Sequence, residues 1–532
     1  MEYADMVQDL PLGVQVFAEL RQANLIYVDK TALIYNLVKA KKGFYFLSRP
    51  RRFGKSLLLS TFESLFRFGL RDFKGLAIEK LWTEDQTYPV IRLDFSDCIQ
   101  FRDESDFLVF FEERLKNGIS ESGFVFPQKN NEQETLPSRF ERFLVSVRHL
   151  NPVLLIDEYD APFNYCLDKP ELLLKVVDTL YRFYAIIKQQ SGYLRFFFMT
   201  GICKYREFKL FSSGTFIEDI SLDEDYSTLL GYTKDELIHY FAPYIEKASK
   251  ILKLSFDECV LEMGRNYDGF SFDKKAQNHV FVPWSTLNFL KKPNEGFNNY
   301  WYESGGQTEV LLKYIQKHAL KKPEDYGKEQ LAEYDELKSS MEFGMPNDLA
   351  LLTHTGYLTI KSKFNDGYAV VNYPNLEVSK SMAKLFAKKF FSQNLDQDLL
   401  RSFMQDEPPA IVKHLNALLL SVPYHAHPID SEAVLRLLIG FTLTAGGFDV
   451  NYESVNALGR SDLEFICGKR YFVLEFKFAR DGDDEKLLLQ KALEQIKSRH
   501  YGEHKHPELE HVRLALVFSS KNKQFDEYAV SE

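Results

Sequence analysis

The chain reads as an α/β protein with an N-terminal parallel-sheet domain, a mostly helical middle region and a second α/β domain at the C-terminus. Three observations lead there. Over residues 1–215, short apolar strands that end in polar clusters alternate with helical runs. From 216 to 378, apolar residues recur at three- and four-residue spacing. Within 379–532, two alternating strands meet at Gly468-Lys469 between flanking helices. At 532 residues the chain exceeds what one core organises.

Residues 43–48 form a short apolar strand that runs into Arg49-Pro-Arg-Arg-Phe-Gly54-Lys55-Ser56, followed by an apolar helical run over 57–66. Strand, turn, Gly-Lys-Ser and helix is the layout of a phosphate-binding loop. Backbone N–H groups and a helix N-terminus cradle the anion there. In that layout Lys55 reaches the outer phosphates, Ser56 ligates Mg²⁺, and Arg52 and Gly54 belong to the loop that surrounds them. The usual pattern has glycine where this chain has Arg49. Arg49, Arg51 and Arg52 add positive charge that suits a polyphosphate and would equally suit solvent.

Residues 152–156 make an apolar strand ending in Asp157-Glu158, the arrangement of a Walker B acid pair. One carboxylate supports the Mg²⁺ shell and the next polarises water. Residues 194–199 supply a third strand, tipped by Thr200-Gly201, whose hydroxyl would sense the γ-phosphate. Ligands of parallel sheets sit at the carboxyl ends of strands, and all three polar clusters fall there. The polar interruption at 118–137 reads as a surface loop. In the middle region helices are expected over 234–254, 309–320 and 328–341, and a hairpin around Asn365-Asp-Gly367. Helices then continue to about residue 445, and a later strand covers 513–519.

Residues 462–466 and 471–478 read as antiparallel strands joined by Gly468-Lys469, a two-residue turn whose glycine accepts positive φ. That register sets Asp462 opposite Glu475, and period-two alternation puts Lys477 on the same face. Two carboxylates on one sheet face repel, so the pair asks for a divalent cation. With a lysine to steady a charged nucleophile or phosphate, the set suits phosphodiester hydrolysis. An ordinary amphipathic hairpin with scattered surface charges is the alternative.

Gly459-Arg460-Ser461-Asp462 followed by Glu475-Phe-Lys477 resembles the PD-(D/E)XK nuclease superfamily, with Ser461 standing where the motif has proline. The resemblance implies that Asp462 and Glu475 ligate metal and that Lys477 positions or activates the attacking water. It also implies roles for Glu432, on the helix before the sheet, and for Gln495 and Tyr501 after it. The segments 10–13, 27–31, 48–56 and 155–160 are similar to the bacterial and archaeal AAA-ATPase-like family, as are Phe198-Met-Thr-Gly201, Tyr267-Asp-Gly269 and Thr355-Gly-Tyr-Leu358. Members of that family commonly carry a nuclease-like C-terminal domain and an Arg-Arg-x-Gly-Lys-Ser loop. By that likeness Lys55 and Ser56 bind ATP and Mg²⁺, Asp157 supports the metal and Glu158 is the base. Lys204 is either a sensor cation or a surface residue.

A net charge of −10 argues against a general nucleic-acid coat, so contact with DNA or RNA would need a local basic groove. The 5 cysteines lack metal-type spacing and fit a reducing cytoplasm. No apolar run approaches the roughly 20 residues that span a bilayer, and the N-terminus lacks a signal-peptide layout. His500, His504, His506 and His511 would be exposed loop residues or, less simply, a zinc site. The expectation is an ATP-dependent, Mg²⁺-dependent nuclease acting on DNA or RNA, cytoplasmic and without a membrane partner. Homo-oligomerisation is compatible with the residues. The alternative is a nucleotide-switched binding module with a non-cleaving nuclease fold.

Overall fold

The computed structural model describes residues 8–98, 101–205, 217–301, 311, 329–338, 347–390, 397–405, 407–422, 424 and 428–531. The described residues up to Val378 form one compact unit and those from Ser379 form another.

The first unit is built on five parallel strands: β1 (Gly43–Ser48), β2 (Val90–Asp94), β3 (Val153–Asp157), β4 (Phe196–Gly201) and β5 (Glu218–Asp219). Their spatial order is β2-β3-β4-β1-β5. The β1 and β4 registers pair Leu47 with Thr200 and Ser48 with Gly201, while β2 and β3 end together at Asp94 and Asp157. Loop, acid pair and Thr200 therefore share one edge, as parallel strands require. All of β3 and β4 is buried, which is why both read as unbroken apolar runs. The helix Lys55–Phe68 lays Phe62 and Phe66 across Phe196 and Phe198.

Helices Lys234–Leu252, Phe256–Tyr267 and Pro283–Lys291 follow. The first two start at Thr233 and Ser255 with reciprocal capping boxes to Glu236 and Glu258. Their apolar faces close on Ile26 and Val28 of the N-terminal segment. The expected hairpin exists as β7 (Thr359–Lys363) and β8 (Tyr368–Asn372).

The helix expected over 328–341 is a misreading. Gln330–Glu333 is strand β6, paired antiparallel with β8, and the described helix covers only Tyr334–Lys338. Ala332 is buried while Leu331 stays half exposed, and the Tyr368 hydroxyl donates to Glu333 at 2.6 Å. The open edge of the hairpin offered backbone partners that outweighed a modest helical preference. The helix expected over 309–320 lies outside the described residues apart from Leu311.

The second unit carries the mixed sheet β13-β12-β11-β10-β9. Its strands are β9 (Val450–Asn456), β10 (Gly459–Cys467), β11 (Arg470–Ala479), β12 (Glu510–Ser519) and β13 (Gln524–Ser531). Strands β9, β10 and β11 form a meander, and β11 and β12 run parallel, joined through the helix Glu485–Ser498. One face stacks Phe465 on Phe472, with Phe403 edge-on to both. The other face packs Tyr471, Val473 and Ala515 against Ala492, Ile496 and Tyr501.

Candidate functional site

The turn after β1 leads into the helix Lys55–Phe68 through two residues with positive φ, Arg52 at 69° and Gly54 at 97°. Such left-handed backbone is the geometry of anion-binding nests, and only glycine adopts it freely. No side chain caps the helix, so its first N–H groups are not taken up by a capping residue. The Lys55 ammonium is buried and bonds the carbonyls of Arg49 (3.0 Å) and Pro50 (3.1 Å). Burial lowers its pKa against the pull of Glu158, Asp157 and Asp160. Asp157 accepts from the Thr200 hydroxyl at 2.7 Å through Oδ1, and its buried Oδ2 accepts no hydrogen bond. Glu158 is turned by a positive φ of 48°, and burial raises its pKa although Lys55 and Arg51 oppose that. An uncapped helix start, a buried ammonium and a carboxylate oxygen that accepts no hydrogen bond fit a nucleotide with its Mg²⁺.

Three residues of this region depart from their simplest reading. Arg49 does not face solvent: it is buried over the Phe272 ring and donates to the carbonyls of Ser48, Ser221 and Tyr226. Burial pushes its pKa down to about 9. Arg52 lies over the Trp284 ring at 4.5 Å. Lys204 pairs with Asp219 at 2.8 Å and lines a cavity of about 500 Å³ with Ser48 and His354, a cavity that Lys55 does not line. A cation that sequence reasoning missed is Arg92 on β2. Its guanidinium lies 3.5 Å from the Ser56 carbonyl and 3.7 Å from Asp157 Oδ2, bringing those two residues around one positive charge.

In the second unit the β10–β11 ladder runs from Cys467↔Arg470 to Leu463↔Leu474, which makes Asp462 and Glu475 the next pair outward. The ladder stops there, and the Asp462 carboxylate replaces it by accepting the Phe476 N–H at 2.8 Å through Oδ2. Its Oδ1 accepts from Arg436 Nη1 at 2.8 Å. Glu475 stays in a central strand, with Ala515 of β12 as its other neighbour, and is 2 % exposed. Its Oε1 accepts from Lys477 Nζ at 2.9 Å, while its buried Oε2 has no hydrogen-bond partner. Burial and the Asp462 charge push Glu475 up to about 7, against the opposing pull of Lys477. Burial works to lower the Lys477 pKa, but Glu475, Glu432 and Asp462 outweigh it and the value rises. Glu432 lies 3.9 Å from Lys477 and accepts the Phe478 N–H at 3.4 Å. Its helix, Glu432–Ala445, starts at Ser431, whose hydroxyl caps Val434.

The structure therefore gathers Asp462, Glu475, Lys477 and Glu432, and adds Arg436 one helical turn beyond Glu432. A buried carboxylate oxygen without a donor, beside a second carboxylate, fits a divalent ion. Among the described residues no three His, Cys, Asp or Glu side chains form a metal-holding group. A two-carboxylate site completed by water is the form that Mg²⁺ commonly takes. Gln495 is not shown touching these acids. It donates to the Tyr501 hydroxyl at 3.3 Å, and Tyr501 is a buried core residue. Ser461, in the proline position, donates to buried Glu464 at 2.7 Å, which Tyr471 and Lys505 also engage at 2.6 Å each. The loop histidines form no metal cluster: His500 bonds Glu503, and His511 bonds the His506 carbonyl.

A nucleotide-type parallel sheet in one unit and a mixed sheet carrying an acid pair in the other define an ATPase-like protein with a nuclease-type domain. The family described as predicted AAA-ATPase matches residues 11–211, and the PD-(D/E)XK nuclease superfamily matches residues 430–528. Residues 11–211 thus match an AAA-ATPase-like domain and residues 430–528 a PD-(D/E)XK nuclease-superfamily domain. It is similar to a protein of Azotobacter chroococcum mcd 1 described as an uncharacterized protein in the vnfD 5′ region. The two are 29% identical over 532 residues, covering 97% of each chain.

Proposed function

We propose that this protein binds and hydrolyses ATP and that the ATP site governs a Mg²⁺-dependent nuclease acting on DNA or RNA. The observation that carries the nuclease half is the orphaned, buried Oε2 of Glu475 beside Asp462 and Lys477. Asp462 and Glu475 would hold the divalent ion, which when bound offsets the charge that develops on phosphorus. Lys477, bonded to Glu475 Oε1 and 3.9 Å from Glu432, would position or activate the attacking water. At the other site Lys55 draws the outer phosphates, Ser56 and Asp157 would hold Mg²⁺, Thr200 fixes Asp157, and Glu158 orients water. Five buried cysteines, none of them in a disulfide, support a cytoplasmic setting, and no described helix is long and apolar enough to cross a membrane. Defence against foreign nucleic acid and mobile-element processing are roles that fit this chemistry.

The test is cleavage of labelled DNA and RNA in Mg²⁺ or Mn²⁺, with and without ATP. Asp462→Ala and Lys477→Ala should abolish cleavage and keep polymer binding; equal cutting by either variant would remove that residue from the centre. A second reading has its own observation, because both oxygens of Asp462 are engaged by protein donors. On that reading the domain grips nucleic acid or protein in response to nucleotide without cutting. ATP-dependent retention of a polymer that is never cleaved would establish it.

A further inference from the structure

Three successive carbonyls of the loop after β1 are held by donors of the first unit. Those of Arg49 and Pro50 accept from Lys55, and that of Arg51 accepts from the Trp301 indole N–H at 3.4 Å. Trp301 is fully buried and lies edge-on to Tyr357, with ring centres 5.1 Å apart. Beside Tyr357, Gly356 backs the same loop so closely that a Cβ there would stand 2.7 Å from Pro50 Cβ. The other donor of Trp301, its backbone N–H, goes to Glu377 Oε1 at 2.9 Å, and Asn299 Nδ2 donates to the Glu377 carbonyl at 3.1 Å. Glu377 belongs to the first turn of the helix Leu376–Phe390, along which the chain passes from the first unit into the second. One residue therefore bonds the phosphate loop through its side chain and the start of that helix through its backbone. A nucleotide that draws Lys55 to its phosphates takes it from the Arg49 and Pro50 carbonyls and resets the loop beside Arg51. A rigid indole in a close-packed interior passes such a displacement on.

We propose that Trp301 is the positioning residue that carries the state of the phosphate loop to the helix Leu376–Phe390, with Arg51 on one side and Glu377 on the other. This rests on the reading that ATP binds the loop and governs the second unit, and it names the first link of that control.

The experiment uses the full chain. Affinity is measured with a fluorescent ATP analogue, and amide hydrogen exchange of 49–57 and 376–390 is followed with and without ATP and Mg²⁺. In the wild type, ATP should slow exchange in 49–57 and change it by about fivefold or more at 378–384. Trp301→Phe keeps a ring and the backbone N–H but lacks the indole donor. It should bind the analogue within about tenfold of the wild type, the scale of one lost hydrogen bond, and still slow 49–57. Its response at 378–384 should fall below about twofold. Glu377→Ala should give the same result from the other end, and serves if the phenylalanine variant fails to fold. Glu377→Gln, which keeps an acceptor oxygen, should restore the response. A helix response that persists in either folded variant, or that Glu377→Gln does not restore, overturns the relay. So does a wild type whose loop answers ATP while 378–384 does not, and in that case the ATP site stands. A wild type that binds no analogue and shows no change in 49–57 refutes the ATP reading, and the relay with it.

Discussion

Lys55 and Glu475 are buried charges of the two candidate sites. Lys55 and Glu475 have their pKa values moved by burial, in opposite directions, and each sits against groups of opposite sign that limit the shift. Lys55→Ala should abolish ATP binding, measured with a fluorescent nucleotide, because the loop loses its only motif lysine. Glu158→Gln should keep ATP affinity and slow turnover by about 10² or more, the scale of losing a water-orienting or basic group. Unchanged turnover would free Glu158 from that role. Motif residues were legible because short spacing fixes them: Gly54-Lys55-Ser56 lies on one turn, and Asp462 and Glu475 face each other across a two-residue loop. Arg92 and Arg436 were not legible. Each meets its carboxylate from a different element, 65 positions away for Arg92–Asp157 and 26 for Arg436–Asp462, and nothing local marks such a residue. Arg49, which the sequence left open to a polyphosphate or to solvent, is buried and ties three carbonyls together.

Elements show the same division between local and distant causes. The β10–β11 hairpin could be registered from sequence because its turn type fixes the pairing and the buried faces forbid a one-residue slip. Strand β6 could not be recognised, because its partner β8 lies beyond two described helices and β7 and supplies the edge that decides the matter. Glu464 is the buried polar group that ties β10 to its surroundings, through Ser461, Tyr471 and Lys505. Those donors lower its pKa although burial acts to raise it, Lys505 being the largest of them. A depressed carboxylate stabilises the fold above its unfolded value, about 4.3, and that contribution is lost as pH falls through the folded value. Glu464→Gln should therefore cost about 1–3 kcal/mol at neutral pH, having left Tyr471 and Lys505 with a weaker partner. The difference from wild type should shrink steadily below about pH 4. Thermal melts of both proteins between pH 7 and pH 3 supply the check; a gap that widens on acidification would show that the network does not hold Glu464 ionised.

At the scale of the whole molecule the question is why one chain carries an AAA-ATPase-like domain and a nuclease-superfamily domain. An ATP site with no influence on the nuclease would be two enzymes sharing a peptide; a switch needs ATP to favour one state of the nuclease over another. Cleavage measured without nucleotide, with ATP and with a non-hydrolysable analogue distinguishes gating by binding from gating by turnover. If binding is the signal, the analogue should match ATP, and the change in cleavage should lie within about 5- to 150-fold, the usual range of coupling between sites. If turnover is the signal, the analogue should fail and Glu158→Gln should fail with it. In either case Lys55→Ala should cleave at the nucleotide-free rate whatever is added, with its Mn²⁺ affinity at the nuclease centre unchanged. A Lys55→Ala protein that still responds to ATP would place the controlling nucleotide somewhere other than the loop after β1. One that loses Mn²⁺ binding as well would show that this substitution damages the fold and not the signal.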